Sequence, residues 1–411
     1  MPRIPLSIPN LDPIISDYLK ECIDTNWIAG GGRFLSTFEA QMAAYVGTDG
    51  AVACQSGTGG IHTALQVLGV TRDTLVIAPT LTFIAAINPI TYLGATPVFI
   101  DCDDTLNMDL NALENFLNED CTLTLTDFTL APGANVTLHN DRILTHNVTG
   151  KRISALVVVH VFGNLLDMRR VMALASKFGL PVLEDATEAV GSYYTEGPNA
   201  GRFAGTLADA GVYSFNANKI ITTAGGGMVV SRHKAVLDQV RYLTTQAKDD
   251  MLYFIHDHIG YNYRMTNLQA ALGVSQLADL EGFIATKMHH YEAYKASLEG
   301  IPGLRLLPFN AGTRSNHWFY SLLIDPAQYG ISRDQLLHHL EKLDIETRPI
   351  WHLNHLQKPY ADAPHHTISL APYYLAHILN LPCSTSLTDK DRDYVIETIR
   401  QAPARVGSSA L

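Results

Sequence analysis

From about residue 50 to residue 232, short apolar runs alternate with segments of helical period. Leu75-Val76-Ile77-Ala78, Pro97-Val98-Phe99-Ile100, Ala155-Leu156-Val157-Val158-Val159, Pro181-Val182-Leu183 and Gly227-Met228-Val229-Val230 are continuously apolar rather than alternating. That pattern suits strands buried on both faces of a parallel sheet. Gly59–Leu68 and Leu166–Lys177 read as helices between them, so this part of the chain predicts an α/β unit with a mostly parallel sheet. The stretch 118–152, rich in Thr, Asn and Asp, breaks the rhythm and predicts an excursion such as a hairpin. After residue 260 the character changes. Thr266-Asn267-Leu268-Gln269 has the capping-box pattern and opens a long helix toward Glu299, punctuated by Pro302 and Gly303. The remainder mixes short strands, Trp318–Ile324 among them, with helices opened by Ser332-Arg333-Asp334-Gln335 and capped by Thr388. The expected organisation is an N-terminal segment and large domain over 1–265, a connecting helix over 266–303, and a small α+β domain over 304–411. Pro403–Leu411 reads as a disordered tail.

Composition narrows the class. The chain has 411 residues, 47% hydrophobic and 17% charged, which excludes a disordered chain and allows a sizeable core. A net charge of −11 weighs against nucleic acid as a partner, since such binders present basic surfaces to phosphate. Five cysteines, Cys22, Cys54, Cys102, Cys121 and Cys383, are scattered and never spaced as CxxC. They fit a reducing cytoplasm better than a disulfide framework or a zinc site. The first residues lack the apolar core of a signal peptide, and no run is long enough to span a membrane. The expected location is therefore cytoplasmic, and the glycosylation-type triplets at Asn135 and Asn147 carry little weight. The histidine pairs His289-His290, His338-His339 and His365-His366 lack HExxH or cysteine company, so no metal site is expected.

Three short constellations carry chemistry. Ser56-Gly57-Thr58-Gly59-Gly60 follows an apolar run and precedes a helix; small residues and free amides there can hold a phosphate, although a plain turn looks the same. Glu184-Asp185-Ala186-Thr187-Glu188 places carboxylates at the end of a strand, where α/β folds keep ligand groups and helices keep N-caps. Ser214-Phe215-Asn216-Ala217-Asn218-Lys219, followed by a glycine run at 225–227, holds a lysine among small and apolar residues. Desolvation lowers the pKa of such an amine, and a neutral amine can form a Schiff base. An aspartate, a lysine and a phosphate site together are what pyridoxal 5'-phosphate requires.

With these residues in place, the sequence resembles the DegT/DnrJ/EryC1/StrS sugar aminotransferases. The resemblance rests on Ser56-Gly57-Thr58, Pro79-Thr80-Leu81-Thr82-Phe83, Gly94–Asp101, His160-Val161-Phe162-Gly163-Asn164, Glu184-Asp185-Ala186, Ser214-Phe215 leading to Lys219, Gly260–Met265 and Thr347-Arg348-Pro349. It runs from about Ile4 to Ile399 and looks most like the LegC-like subgroup. It implies an aspartate aminotransferase-like (fold type I) large domain that binds pyridoxal phosphate, and a smaller C-terminal domain. In that comparison Lys219 is the Schiff-base and proton-moving lysine, Asp185 pairs with the pyridine nitrogen and Phe83 stacks on the ring. Gly57, Thr58 and Ser214 hold the phosphate, joined by Asn262 of a second subunit in a homodimer with shared active sites. The implied reaction transfers the amino group of L-glutamate to a nucleotide-linked 4-keto-6-deoxy sugar. UDP-2-acetamido-2,6-dideoxy-4-ketohexose is the leading substrate, with bacillosamine- or legionaminic-type surface glycans as the destination.

Departures from the pattern are Glu188, where Gln is common, Ile220 after the lysine, and Ala224 before the glycines. Arg348 is a candidate for the nucleotide diphosphate or the glutamate carboxylate, or else a surface salt bridge. Arg33 is a candidate for the sugar site, and Arg264 for a structural role at the dimer interface. Rival readings are a GDP- or dTDP-linked substrate, amination at C3 or of a cyclitol, a sugar dehydratase, and a non-catalytic regulatory protein. Lys219 argues against the dehydratase, and the intact Asp185/Lys219 pair against the regulator.

Overall fold

Hydrogen bonding joins the apolar runs into one large sheet. The structure, a computed structural model, describes residues 3–125 and 142–407. The strands are β1 (Ala51–Cys54), β2 (Leu75–Pro79), β3 (Thr96–Ile100), β4 (Cys121–Leu125), β5 (Arg142–His146), β6 (Arg152–Val159) and β7 (Val182–Asp185). They continue as β8 (Tyr193–Tyr194), β9 (Ala210–Ser214), β10 (Gly227–Val230), β11 (Leu304–Leu306), β12 (Thr313–Arg314), β13 (Tyr320–Ile324), β14 (Arg348–Pro349) and β15 (Ile378–Leu381). The large sheet runs β1-β10-β9-β7-β6-β2-β3, and the β4/β5 hairpin joins it along β6. From β9 to β3 it is parallel. All of β2, β7 and β9 and nearly all of β6 are buried, as continuous apolar strands between helical layers must be.

Local signals set the helices. Asp167 accepts the Arg170 N–H to start Met168–Phe178, and Gly179, at φ +68°, stops it. Thr266 and Gln269 form the expected capping box, and the helix they open runs Asn267–Leu298. Ser332 and Gln335 do the same for Arg333–Glu341. Beyond the long helix, β11-β13-β15-β14 form a separate antiparallel sheet. The fold is thus α/β, with a mostly parallel large sheet and a smaller antiparallel unit. Among the described residues, no helix is long and apolar enough to cross a membrane.

Three expectations change. Gly227–Val230 is not part of the parallel set: β10 is antiparallel to both β9 and β1. A parallel return needs a crossover element, and the loop 215–226 between β9 and β10 contains no helix, so the chain turns straight back. The strand β9 itself escaped the pattern, being short and interrupted by Gly211. The carboxyl end is ordered through residue 407, because the last helix, Asp389–Gly407, continues through Pro403. Proline lacks the N–H that would bond the Ile399 carbonyl, and the Tyr329 hydroxyl donates to that oxygen instead. Residues 408–411, and the Asn135 triplet, lie outside the described residues.

Candidate active site

The carboxyl ends of β7 and β9 and the turn after β1 open onto one cleft of about 300 Å³. At one end, Ser56 is the N-cap of the helix Gly57–Val67, its Oγ accepting the Gly59 N–H at 3.0 Å. The amides of Gly57 and Thr58 belong to the first turn and have no carbonyl partner within the helix. They face anionic ligands well, through both free donors and the helix dipole. A Cβ on Gly57 would stand 3.0 Å from Ser214 Cβ and 3.3 Å from Thr187 Cγ2. Only glycine leaves this space open, which fits a phosphate held between the helix start and Ser214.

Asp185 ends β7 and is buried, with Oδ1 accepting the Thr187 N–H at 3.0 Å. Burial pushes its carboxyl above the usual carboxylate range. A cationic ring nitrogen beside it would hold the charged form, which is the partner a pyridinium needs. The neighbouring Glu184 points the other way. It accepts His160 Nε2–H at 2.8 Å and the N–H groups of Gly205, Leu207 and Ala208. Burial opposes its charge, but these donors outweigh burial and hold its pKa below the usual range.

Lys219 lies on the loop between β9 and β10. Its N–H bonds the Asn216 carbonyl at 2.9 Å, and Trp318 Nε1 donates to the Asn218 carbonyl at 2.8 Å. Gly226 cannot carry a side chain, since a Cβ would meet Thr223 Oγ1 at 2.1 Å. The lysine Nζ sits 3.9 Å from the centroid of the Trp318 ring and 3.7 Å from Glu188 Oε1. Burial pushes the ammonium below the usual lysine range, against the pull of Glu188 and Asp185. Burial likewise lifts Glu188 to about 7, opposed by Lys219 and by the Phe162 N–H that Glu188 Oε2 accepts at 2.8 Å. Phe162 makes that bond from the left-handed region, at φ +56°.

The long helix braces this wall at two points. Gln276 Oε1 accepts the Thr222 N–H at 3.2 Å, within the lysine loop. Lys287, buried, donates to the carbonyls of Trp318 at 3.1 Å and Cys383 at 2.5 Å. On the opposite wall Phe83 is 51% exposed, its ring centroid 6.3 Å from that of Trp351. Its loop is tied down by Asn354 Nδ2, which donates to the carbonyls of Thr80 at 3.1 Å and Thr82 at 2.8 Å.

Gly57, Thr58, Phe83, Asp185, Glu188, Ser214 and Lys219 therefore meet around one cleft. Asn262 is exposed and does not line the cleft of its own chain. Arg33 is outside it as well, paired with Glu21 at the start of the helix Arg33–Val46. Arg348 is exposed, its Nη2 2.6 Å from Glu346 Oε1, beside Arg3 in a second hollow of about 430 Å³. Arg264 pairs with Glu39 and donates to the Ala53 carbonyl at 2.9 Å. Trp318, Trp351 and Asn354 went unassigned in the sequence; the tryptophans are two of only three in the chain, which was the available signal. His289, His290 and Asp389 cluster, but Arg392 Nη1 stands among their ligand atoms, 2.6 Å from Asp389 Oδ1, 3.2 Å from His289 Nε2 and 3.4 Å from His290 Nδ1.

A buried strand-end aspartate, a desolvated lysine and an open helix start at one cleft of this fold define a fold-type I pyridoxal phosphate enzyme. Residues 9–126 and 133–400 match the DegT/DnrJ/EryC1/StrS aminotransferase family. The GDP-perosamine synthase of Caulobacter vibrioides is 34% identical over 403 residues, covering 98% of each chain. That of Escherichia coli O157:H7 is 32% identical over 401 residues, covering 98% of this chain and 99% of the relative. The crystal structure of DesI with its TDP-sugar product superimposes with a TM-score of 0.84 at 27% identity, covering 100% of this chain and 95% of that one. The chain belongs to the DegT/DnrJ/EryC1/StrS aminotransferase family, and it is a pyridoxal phosphate-dependent aminotransferase.

Proposed function

We propose that the protein converts a nucleotide-linked 4-keto-6-deoxy sugar to the 4-amino sugar with L-glutamate as amino donor. The observation that carries this is the placement of Lys219, Asp185 and the Gly57–Thr58 helix start around one cleft. Pyridoxal phosphate, when bound, supplies the electron sink for both halves of the exchange. The chain's own groups do the rest. Asp185 would hold the positive ring nitrogen, Gly57, Thr58 and Ser214 would hold the phosphate, and Phe83 would pack against the ring. Lys219 Nζ, its ammonium disfavoured by desolvation, would take and return the proton at the reacting carbon. The walls formed by Trp318 and Trp351 keep water from competing for it.

Two observations bear on the nucleotide. Full-length relatives that carry the name GDP-perosamine synthase favour a GDP-linked hexose. The resemblance to the LegC-like subgroup favours the UDP-linked acetamido sugar. The product in either case suits surface-glycan synthesis in the cytoplasm. A second copy of the chain completes the site in this reading. Met251, Leu252, Tyr253, Phe254, Ile255 and Ile259, all at least 51% exposed, form an apolar run beside Asn262 and suit an interface between copies. The test is absorbance and product analysis. Purified protein with pyridoxal phosphate should lose its visible band on adding glutamate, and regain it with the matching ketosugar. The faster of the GDP- and UDP-linked ketosugars identifies the nucleotide, equal rates across GDP-, UDP- and dTDP-linked ketosugars would exclude selection by the nucleotide, and a band indifferent to glutamate would remove the reaction.

A further inference from the structure

We propose that Glu188 is the proton partner of Lys219: whenever the amine is free, one proton is held between Glu188 Oε1 and Lys219 Nζ, and the amine is presented neutral without that proton leaving the cleft. The inference rests on the reading of Lys219 as the reactive amine, and assigns a chemical role to the acid beside it.

The geometry gives the two carboxylate oxygens different tasks. Oε2 accepts the Phe162 N–H at 2.8 Å, a donor that cannot be withdrawn because the backbone carries it. The Glu188 backbone is pinned too, its carbonyl accepting from Asn316 Nδ2 at 2.9 Å. Oε1 is left facing Lys219 Nζ at 3.7 Å, a gap that the long lysine side chain closes by a small rotation. Glu188 is withdrawn from water at 3% exposure, and the Lys219 side chain, 11% exposed, meets it only at the edge of the cleft. A separated ammonium and carboxylate are costly in such a place, and transfer of one proton removes both charges. The transfer is balanced: an Nζ–H bond breaks, an Oε1–H bond forms, and ammonium with carboxylate becomes amine with carboxylic acid. Of the other ionisable groups, Asp185 faces the pair from the end of β7 and disfavours a second negative charge. His160 is turned away, with Nδ1 accepting the Leu166 N–H at 3.1 Å and Nε2 bonded to Glu184. From residues 315–319 the Trp318 ring, not a charge, meets the ammonium.

The experiment uses the full-length protein freed of cofactor, with Lys219 acetylation by acetic anhydride followed by mass spectrometry across pH. Two interacting groups lose protons in two macroscopic steps, so the wild-type rate should rise twice, the lower step near pH 7. At the plateau it should reach at least about one-tenth of the alkaline limit, since a tenfold ratio corresponds to about 1.4 kcal/mol between the two proton positions. Glu188→Gln keeps the acceptor for Phe162 but has no exchangeable acid, and should rise once. A single step in both proteins, or a plateau below that level, overturns the proposal. Should the variant fail to fold, wild-type infrared spectra decide: a carboxylic acid band must decline over the same two steps, and its absence overturns the proposal as well. Cofactor uptake and bleaching by glutamate are read separately by absorbance, so failure here leaves the aminotransferase reading standing.

Discussion

Gly57→Ala separates the cradle from the fold. Position 57 opens a helix, where alanine is favoured over glycine by up to about 1 kcal/mol, so the change is mild for the backbone. Its cost is local. The new Cβ would press on Ser214 Cβ at 3.0 Å and Thr187 Cγ2 at 3.3 Å. Ser214 belongs to β9, held by β7 on one side and β10 on the other, so the strand cannot yield. The helix start must give instead, drawing its amides a few tenths of an ångström off the phosphate position. A hydrogen bond to a charged group contributes about 1.5–3 kcal/mol, so losing one weakens pyridoxal phosphate binding about 10- to 150-fold. Fluorescence or absorbance titration of the cofactor-free variant measures this directly, with thermal unfolding as the control for the fold. Unchanged cofactor affinity in a folded Gly57→Ala protein would refute the placement of the phosphate.

Other outcomes follow from neighbouring features. Asn354→Ala leaves the buried Thr82 carbonyl without its donor, and urea unfolding should show a loss of about 1–3 kcal/mol. Phe254→Asp puts a charge into the apolar run, and sedimentation should show dissociation to monomers while the circular dichroism is unchanged; a variant that still sediments as wild type would exclude this face as the interface. Burial lowers His317 from 6.5 to about 4, so between those values the unfolded chain binds a proton that the folded chain refuses. Stability is then untouched above pH 6.5 and falls by about 3 kcal/mol as pH drops to 4. His317→Asn, which tolerates the left-handed φ of +52°, should flatten that fall in urea titrations at the two pH values.

Much of the site was legible because its parts are contiguous. Ser56-Gly57-Thr58, Asp185 and Lys219 each sit in a short segment whose residue types already restrict the chemistry, and each lines the cleft. Trp318, Trp351 and Asn354 arrive from the far end of the chain, and no local pattern relates them to Lys219 or Phe83. The direction of β10 was hidden for a similar reason. An apolar run reports burial but not orientation, which depends on whether the connection contains a crossover. Pro403 misled through its local meaning. Its missing donor is compensated by Tyr329, a partner that sequence spacing cannot reveal.

The long helix Asn267–Leu298 has a consequence for how the chain can change length. Gln276 grips the lysine loop and Lys287 grips the carbonyl of Trp318, so a single rigid rod sets the spacing between them, about 16 Å along its axis. Inserting or deleting one residue between the two would swing one grip about 100° around the rod relative to the other. The capping box and the buried surface on either side would survive, but loop and ring would no longer be held together. Indels should therefore be excluded between 276 and 287. In that interval the helix serves as a fixed gauge for the site.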